Sequence, residues 1–339
     1  MPTPIPKDVA ESDLSRTLAG AGLKRVQQGK VRDTWELPDR ELLLQVATDR
    51  ISIFDFVLNA LVPRKGEVLT AMTVFWLEEV LKGFDNHLIA YGEEIDSHLP
   101  EGLRGNRELQ SRALVVYKLD MLPVEAIVRG ALTGSGFKSY QGDGTVCGFH
   151  LPAGLRDGDL IPDPLFPLFT PTTKAQEGHD EHMDAAGVMA RYGRGIGDLS
   201  RAAYLVAFHY ALERGVVIAD TKFERSEDEF GDEILTPDSS RFWDREEWEA
   251  TRTKGVSPTP FDKQSVRDWG KTALTPSGAV TNIGNLKPGK PDDVALVHSL
   301  DVPPDVVEVA VERYTTIFRR ITGCGLDEFQ RGTMQIRTR

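Results

Sequence analysis

Asp220-Thr-Lys222-Phe-Glu224 sets two carboxylates and an ammonium at alternate positions, directly after the apolar run 215–219. That run reads as a buried strand, and alternate residues of an extended chain share a face. A second acidic pair, Asp232-Glu233, follows within ten residues, and Asp232-Glu-Ile-Leu reads as the return strand of a hairpin. Carboxylates crowded around one lysine repel one another unless a cation or ligand compensates them. Oxygen ligands of this kind suit Mg2+ held by one or two carboxylates and by substrate phosphates. A charged, solvated hairpin face has the same pattern, and this segment alone does not separate the two readings.

Other segments add complementary chemistry. Gly29-Lys30-Val-Arg32 places a glycine before two cations on what reads as one strand face, suited to a polyphosphate or to a plain strand edge. Thr48-Asp49-Arg50-Ile-Ser52-Ile-Phe-Asp55 mixes charge with apolar positions at a strand end, a common place for ligands and for turn caps. Lys118-Leu-Asp120-Met121-Leu-Pro123-Val-Glu125 crosses between two strands; such a connector can offer backbone groups to an adenine edge or serve as a simple linker. Arg129-Gly-Ala-Leu-Thr-Gly134-Ser135-Gly136 combines a guanidinium, exposed backbone N–H groups and a hydroxyl, the parts of a phosphate cradle. Pro171-Thr-Thr-Lys174-Ala-Gln-Glu-Gly-His179-Asp180 gathers hydroxyls, a lysine, a histidine and acids; Lys174 is the stronger candidate, since a lone histidine more often only hydrogen-bonds locally.

The elements that must position these groups are mixed. Strands are expected on either side of a turn at Pro38-Asp39, at 112–118 and at 124–128, with a helix over 67–82. Residues 142–173 read as a long Gly-, Pro- and Asp-rich loop, and Asp198 or Ser200 as the cap of a helix ending at Gly215. Residues 271–293 read as loop, and 304–322 as a final amphipathic helix stopped by Gly323. Without regular βαβ alternation, the class expected is α+β.

With 339 residues, 40% hydrophobic and 27% charged, the chain can bury a large core and divide into two or three parts. A net charge of −12 argues against nucleic acid as a partner. Two cysteines, Cys147 and Cys324, are too few for a disulfide framework. No signal-peptide core or membrane-length apolar window is evident, so no membrane partner and a cytoplasmic location are expected.

Taken in order, Gly-Lys-Val-Arg-Asp-Thr, Thr-Asp-Arg-Ile-Ser-Ile-Phe-Asp, Lys-Leu-Asp-Met-Leu-Pro-Val-Glu, Val-Arg-Gly-Ala-Leu-Thr-Gly-Ser-Gly, Thr-Pro-Thr-Thr-Lys, Ala-Asp-Thr-Lys-Phe-Glu, Asp-Glu-Ile-Leu-Thr-Pro-Asp-Ser-Ser-Arg-Phe-Trp and Phe-Asp-Lys-Gln-Ser-Val-Arg-Asp-Trp resemble the SAICAR synthetase family over about residues 25–270. No single piece is specific; the ordered set is. The resemblance implies a two-lobed fold with antiparallel sheets, related to ATP-grasp proteins and distantly to protein kinases. It implies an ATP- and Mg2+-dependent ligase of purine biosynthesis that joins L-aspartate to the carboxylate of carboxyaminoimidazole ribonucleotide (CAIR) through an acyl phosphate. Other ATP-grasp ligases, small-molecule kinases and a non-catalytic nucleotide-binding protein are the competing classes.

Carried over by the resemblance, Lys30 and Arg32 cover the ATP phosphates, and Lys118, Met121 and Glu125 line the nucleotide site. Glu224 and Asp232 are the Mg2+ ligands, with Lys222 on the phosphates. Arg129, Ser135, Asp238 and Arg241 hold the ribonucleotide. Asp55, Lys174, His179 and Asp180 lie where the reacting carboxylate and the aspartate meet, and Lys263 and Arg267 are further anion contacts. The resemblance implies a nucleotide-covering lobe over 1–118, an ATP, Mg2+ and substrate lobe over 119–270, and a loop-like insertion with a C-terminal helix over 271–339. Asp220 and Glu233 receive no role, and monomer and homo-oligomer are equally open. The segment from Lys271 to about Val294 is longer than the family pattern, and Gly195-Ile-Gly197 is an unusually glycine-rich approach to a helix.

Overall fold

The structure, a computed structural model, describes residues 4–173 and 182–337. After two short helices, α1 (Lys7–Ala10) and α2 (Asp13–Gly20), come strands β1 (Arg25–Gln28), β2 (Arg32–Glu36) and β3 (Leu42–Ala47). A hairpin of β4 (Arg50–Ile53) and β5 (Phe56–Leu61) precedes helix α3 (Lys65–Phe75), then β6 (Leu88–Tyr91), α4 (Arg107–Arg112) and β7 (Ala113–Tyr117). The first sheet is antiparallel in the order β1-β2-β3-β7-β6.

The second sheet is built on β8 (Val124–Arg129). Helix α5 (Gly134–Asp143) and a small hairpin, β9 (Thr145–Val146) with β10 (Phe149–His150), lead to two short partners of β8, β11 (Leu168–Phe169) and β12 (Thr172–Thr173). Helices α6 (Ala185–Tyr192) and α7 (Gly195–Leu212) follow. Then β13 (Val216–Arg225) runs antiparallel to β8 on one side and to β14 (Phe230–Gly231) and β15 (Ser240–Asp244) on the other. Helices α8 (Arg245–Arg252) and α9 (Gln264–Gly270), a hairpin of β16 (Ala273–Leu274) and β17 (Val280–Thr281), and helices α10 (Pro291–His298), α11 (Pro304–Thr322) and α12 (Leu326–Gly332) complete the chain. The class is α+β, as expected.

One large apolar cluster joins the two sheets. It takes Val68, Leu69 and Met72 of α3, Leu114 and Val116 of β7, Val124, Ala126 and Val128 of β8, Val217 and Ala219 of β13, and Ile317 and Phe318 of α11. Trp76, fully buried in a π-helical turn that continues α3, donates its indole N–H to Leu235 O at 2.9 Å. This ties the inter-sheet core to the loop after β14.

Several local expectations change. The return strand expected at 232–235 is absent: pairing with β13 stops at Gly231, because Asp232 (φ 57°) and Leu235 (φ 51°) are left-handed and turn the chain away. Helix α7 begins at Gly195, so Asp198 and Ser200 lie inside it and do not cap it. Gly197 serves packing: a Cβ there would lie 3.0 Å from Met189 Sδ and 3.3 Å from Phe169. Residues 271–298 contain a hairpin and a helix, and Ala273, Ile283 and Val297 bury against Ile51 and Ile53. The 304–322 helix ends at a left-handed Gly323 as read, but α12 follows it. Among the described residues, no helix is long and apolar enough to cross a membrane.

Because Trp76 fills the inter-sheet core and holds the 235 carbonyl, Trp76→Ala should lower unfolding free energy by about 3–5 kcal/mol in denaturant titration. A loss below about 1 kcal/mol would show that the two sheets do not share this core.

Candidate active site

Strand register places the charged residues in two rows on one face of the second sheet. In the first row Arg129 of β8 and Arg241 of β15 flank Asp220 of β13. Asp220 Oδ2 accepts hydrogen bonds from Arg129 Nη1 and Arg241 Nη1, each at 2.7 Å. Burial lowers the pKa of Arg129, and the neighbouring Arg241 lowers it further, against the pull of Asp220. Arg129 also donates to Thr170 Oγ1 at 3.0 Å and to Ser135 Oγ at 3.1 Å. The glycines around Ser135 make the space for this. A Cβ on Gly134 (φ 56°) would lie 2.8 Å from the Arg241 guanidinium, and one on Gly136 would lie 3.1 Å from Arg129. Two guanidiniums sharing one carboxylate at the start of α5, beside a hydroxyl, form a basic cradle matched to a phosphate.

The second row lies toward the other end of β13. Lys222 Nζ bridges Glu125 Oε1 at 2.7 Å and Glu224 Oε1 at 3.0 Å. Burial alone would lower the lysine's pKa, but Glu224 and Glu125 outweigh it and hold the ammonium charged well above its ordinary range. Thr172 Oγ1 donates to Glu125 Oε2 at 3.2 Å. Gly231 pairs opposite Glu224, so the next residue, Asp232, emerges beside it. Arg32 reaches across from the first sheet to Asp232 and, at 3.0 Å, to Glu233. Burial opposes the charge on Arg32, yet Asp232, Glu233 and Glu224 together raise its pKa. Burial also raises the pKa of Glu233; Arg32 counters this, while Asp238 and Asp232 add to it. Among the described residues, no three acidic, histidine or cysteine side chains converge to hold a metal by themselves. Glu224 and Asp232 could together offer two carboxylates to a Mg2+ ion whose remaining ligands are water and phosphate.

The first sheet supplies the cover. Lys30 precedes β2 and pairs with Asp55 at 2.6 Å, whereas Arg32 turns to Asp232; the two cations do not share the strand face expected for them. Gly29 is required where it stands, since a Cβ there would meet Arg32 O at 2.7 Å. Arg50, 2% exposed, donates to Gly29 O at 2.9 Å and Lys30 O at 3.3 Å and is paired with Asp33. The connector 118–123 joins the sheets: Lys118 N bonds Glu41 O, Leu122 N bonds Arg225 O, and Met121 packs where a Gly231 Cβ would lie, 2.8 Å from its methyl. Burial lowers the His87 pKa to about 4, leaving a neutral imidazole beside Asp232.

Asp238 is deeper than expected, its side chain 3% exposed. Lys65 Nζ of α3 sits 2.6 Å from its Oδ2, a fully buried ion pair. Tyr314 of α11 donates to Oδ1, and Lys263 Nζ stands 3.9 Å from the same oxygen. Burial opposes ionisation of Asp238, but Lys65 and Lys263 hold it well below the usual carboxylate range. Arg267 pairs with Asp262 at 2.7 Å.

The SAICAR synthetase family model matches residues 25–280. The chain belongs to the SAICAR synthetase family. It is similar to phosphoribosylaminoimidazole-succinocarboxamide synthases of Methylococcus capsulatus (41% identity over 94% of this chain and 99% of that one) and Schizosaccharomyces pombe (40%, over 91% and 98%). Among solved structures, the SAICAR synthase of Saccharomyces cerevisiae in complex with SAICAR is 32% identical, with TM-score 0.73, over 94% of this chain and 99% of that one. A SAICAR synthetase in complex with ADP has TM-score 0.57 at 21% identity over 88% of this chain and 98% of that one, a likeness of fold.

Against that family pattern, Lys174, His179 and Asp180 lie outside the described residues. Sequence reasoning missed Asp33, Lys65 and Tyr314 and gave Arg50 no partner. A charged residue within the apolar Arg50–Ile53 strand was the available signal for Arg50; Tyr314 reads as one more apolar-face residue of an amphipathic helix. Asp220 now has partners, and Glu233 shares Arg32 with Asp232.

Asp220→Ala would leave Arg129 buried without its carboxylate, so it should cost about 3–5 kcal/mol in urea unfolding. A loss below about 1 kcal/mol would mean that the arginines do not depend on Asp220.

Proposed function

We propose that the protein is the ATP-dependent ligase that joins L-aspartate to the carboxylate of CAIR, giving SAICAR, ADP and phosphate. The observation that carries this reading is the pair of charged rows on one sheet face. Asp220 and Glu224 are four residues apart on β13, about 13 Å at strand spacing. That separation lets a ribonucleotide phosphate in the Arg129–Ser135–Arg241 cradle and an ATP triphosphate near Lys222 and Arg32 lie side by side. The family relationship supplies the substrates that fit these two ends.

A carboxylate is a poor electrophile, so the γ-phosphoryl group of ATP passes first to the CAIR carboxylate. The amine of L-aspartate then attacks the acyl phosphate, and phosphate leaves. In this reading the chain's own contribution is positioning and charge neutralisation. Lys30, Arg32 and Lys222 bear on the phosphates, while the 118–123 connector with Met121 borders the adenine. Glu224 and Asp232 would hold Mg2+, which supplies positive charge against the phosphate oxygens when bound. To receive the nucleotide, Lys222 and Arg32 exchange part of their carboxylate pairing for phosphate. Asp55, Lys174, His179, Asp180, Lys263 and Arg267 are assigned to the two carboxylate substrates, with Asp238 paired to Lys263 at 3.9 Å.

ADP release measured with ATP, Mg2+ and CAIR should require L-aspartate for sustained turnover. Turnover indifferent to both CAIR and aspartate would contradict the ligase reading and favour a kinase or other ATPase. Asp232→Asn should reduce kcat by more than about tenfold with the fold intact by circular dichroism. Near-normal kinetics would remove Asp232 from the metal site.

A further inference from the structure

The hairpin of β1 and β2 closes on a short tip, residues 29–32, whose carbonyls are all held by the protein itself. Gly29 N–H donates to Arg32 O at 2.7 Å, and Thr48 holds Val31 O through its backbone N–H at 2.9 Å and its hydroxyl at 2.8 Å. The two remaining carbonyls go to one side chain. Arg50 donates from Nη2 to Gly29 O at 2.9 Å and from Nε to Lys30 O at 3.3 Å. Arg50 is buried, and its charge is answered by the equally buried Asp33. Among the described residues, the backbone N–H groups of Lys30 and Val31 have no hydrogen-bond partner.

We infer that Arg50 is a positioning residue for the nucleotide: by drawing the Gly29 and Lys30 carbonyls to itself, it turns the Lys30 and Val31 N–H groups outward as a pair of donors for a phosphate. In a trans peptide the C=O and the following N–H point in opposite directions. With Gly29 O and Lys30 O on Arg50, the N–H groups of the next two residues point away from it. Arg50 lies on the Asp33 side of β2. Alternate residues of a strand face opposite ways, so this is the side opposite Arg32, whose guanidinium crosses to Asp232. The two amides are therefore turned toward the side where the charges of the two sheets meet. Successive backbone N–H groups of this kind form a concave anion site, and unlike lysine side chains they have no rotamer freedom to lose. Because Asp33 answers the charge on Arg50, the effect of Arg50 on a phosphate runs through the backbone that it holds.

The inference rests on the ligase reading above for the identity of the nucleotide, and it is tested by binding, without turnover. Arg50→Lys keeps a cation beside Asp33 but lacks the planar fork that spans two carbonyls. In isothermal titration with Mg2+ present, this variant should bind ADP about tenfold more weakly than the wild-type protein. Adenosine, which has no phosphate, should bind within about twofold of wild type. Equal weakening of both ligands would mean that Arg50 serves the fold alone, and unchanged ADP affinity would mean that the amides meet no phosphate; either result overturns the inference. Should Arg50→Lys fail to fold, the wild-type protein decides by NMR with isotope-labelled valine. The Val31 amide resonance, identified by its loss in Val31→Ile, should shift on addition of ADP and stay in place with adenosine. A Val31 resonance unmoved by ADP refutes the proposal. Failure of the wild-type protein to release ADP in response to CAIR and L-aspartate, with ADP binding intact, would sink the ligase reading and leave this inference standing.

Discussion

Asp220 Oδ2 receives Arg129 and Arg241 at the same 2.7 Å distance, and much of the site's arrangement follows from that shared oxygen. Arg129 is 2% exposed, and a guanidinium so buried costs several kcal/mol unless it is paired. Its partner must therefore be supplied by the adjacent strand at the matching register, as Asp220 is. Once the arginines are fixed, the chain around them is constrained to be small: Gly134 and Gly136 stand where any Cβ would press on a guanidinium. The cradle is thus preorganised by a covalent frame and an internal counterion. That is the condition under which positioning and electrostatics act without reorganisation during reaction.

The other charged row obeys the same rule with the signs exchanged. Glu125 and Glu224 share Lys222, while Asp232 and Glu233 share Arg32. Among the described residues, carboxylates outnumber cations in this group, and burial, with smaller contributions from Asp238 and Asp232, raises the pKa of Glu233. Such a group favours an incoming cation, and the same lysine and arginine can turn to phosphate as it arrives. Groups away from the cleft hold these parts in place. Arg50 grips the 29–30 carbonyls, Trp76 holds the 235 carbonyl, and Lys65 with Tyr314 locks Asp238.

Alternation along 220–224 correctly put Asp220, Lys222 and Glu224 on one face, since a strand's two-residue period is a local property. The β2–β3 pairing and the glycine stop of α11 were legible for the same reason. The pairing of Asp220 with two arginines was not, because register between β8, β13 and β15 depends on residues about 90 and 20 positions away along the chain. The misread return strand at 232–235 failed on backbone conformation: its composition suits a strand, yet positive φ at Asp232 and Leu235 releases it from the ladder. Lys65 and Tyr314 were not legible as a pair, since nothing local in either helix marks the distant carboxylate of Asp238 as the partner. Structural context converts them from packing residues into partners of Asp238.

A crystal structure of the protein with ADP, Mg2+ and CAIR tests the two-row account most directly. The account predicts the CAIR phosphate between Arg129, Ser135 and Arg241, with the ADP diphosphate beside Lys222 and Arg32 and the metal on Glu224 and Asp232. A diphosphate seated in the Arg129–Arg241 cradle, or a metal remote from both carboxylates, would contradict it.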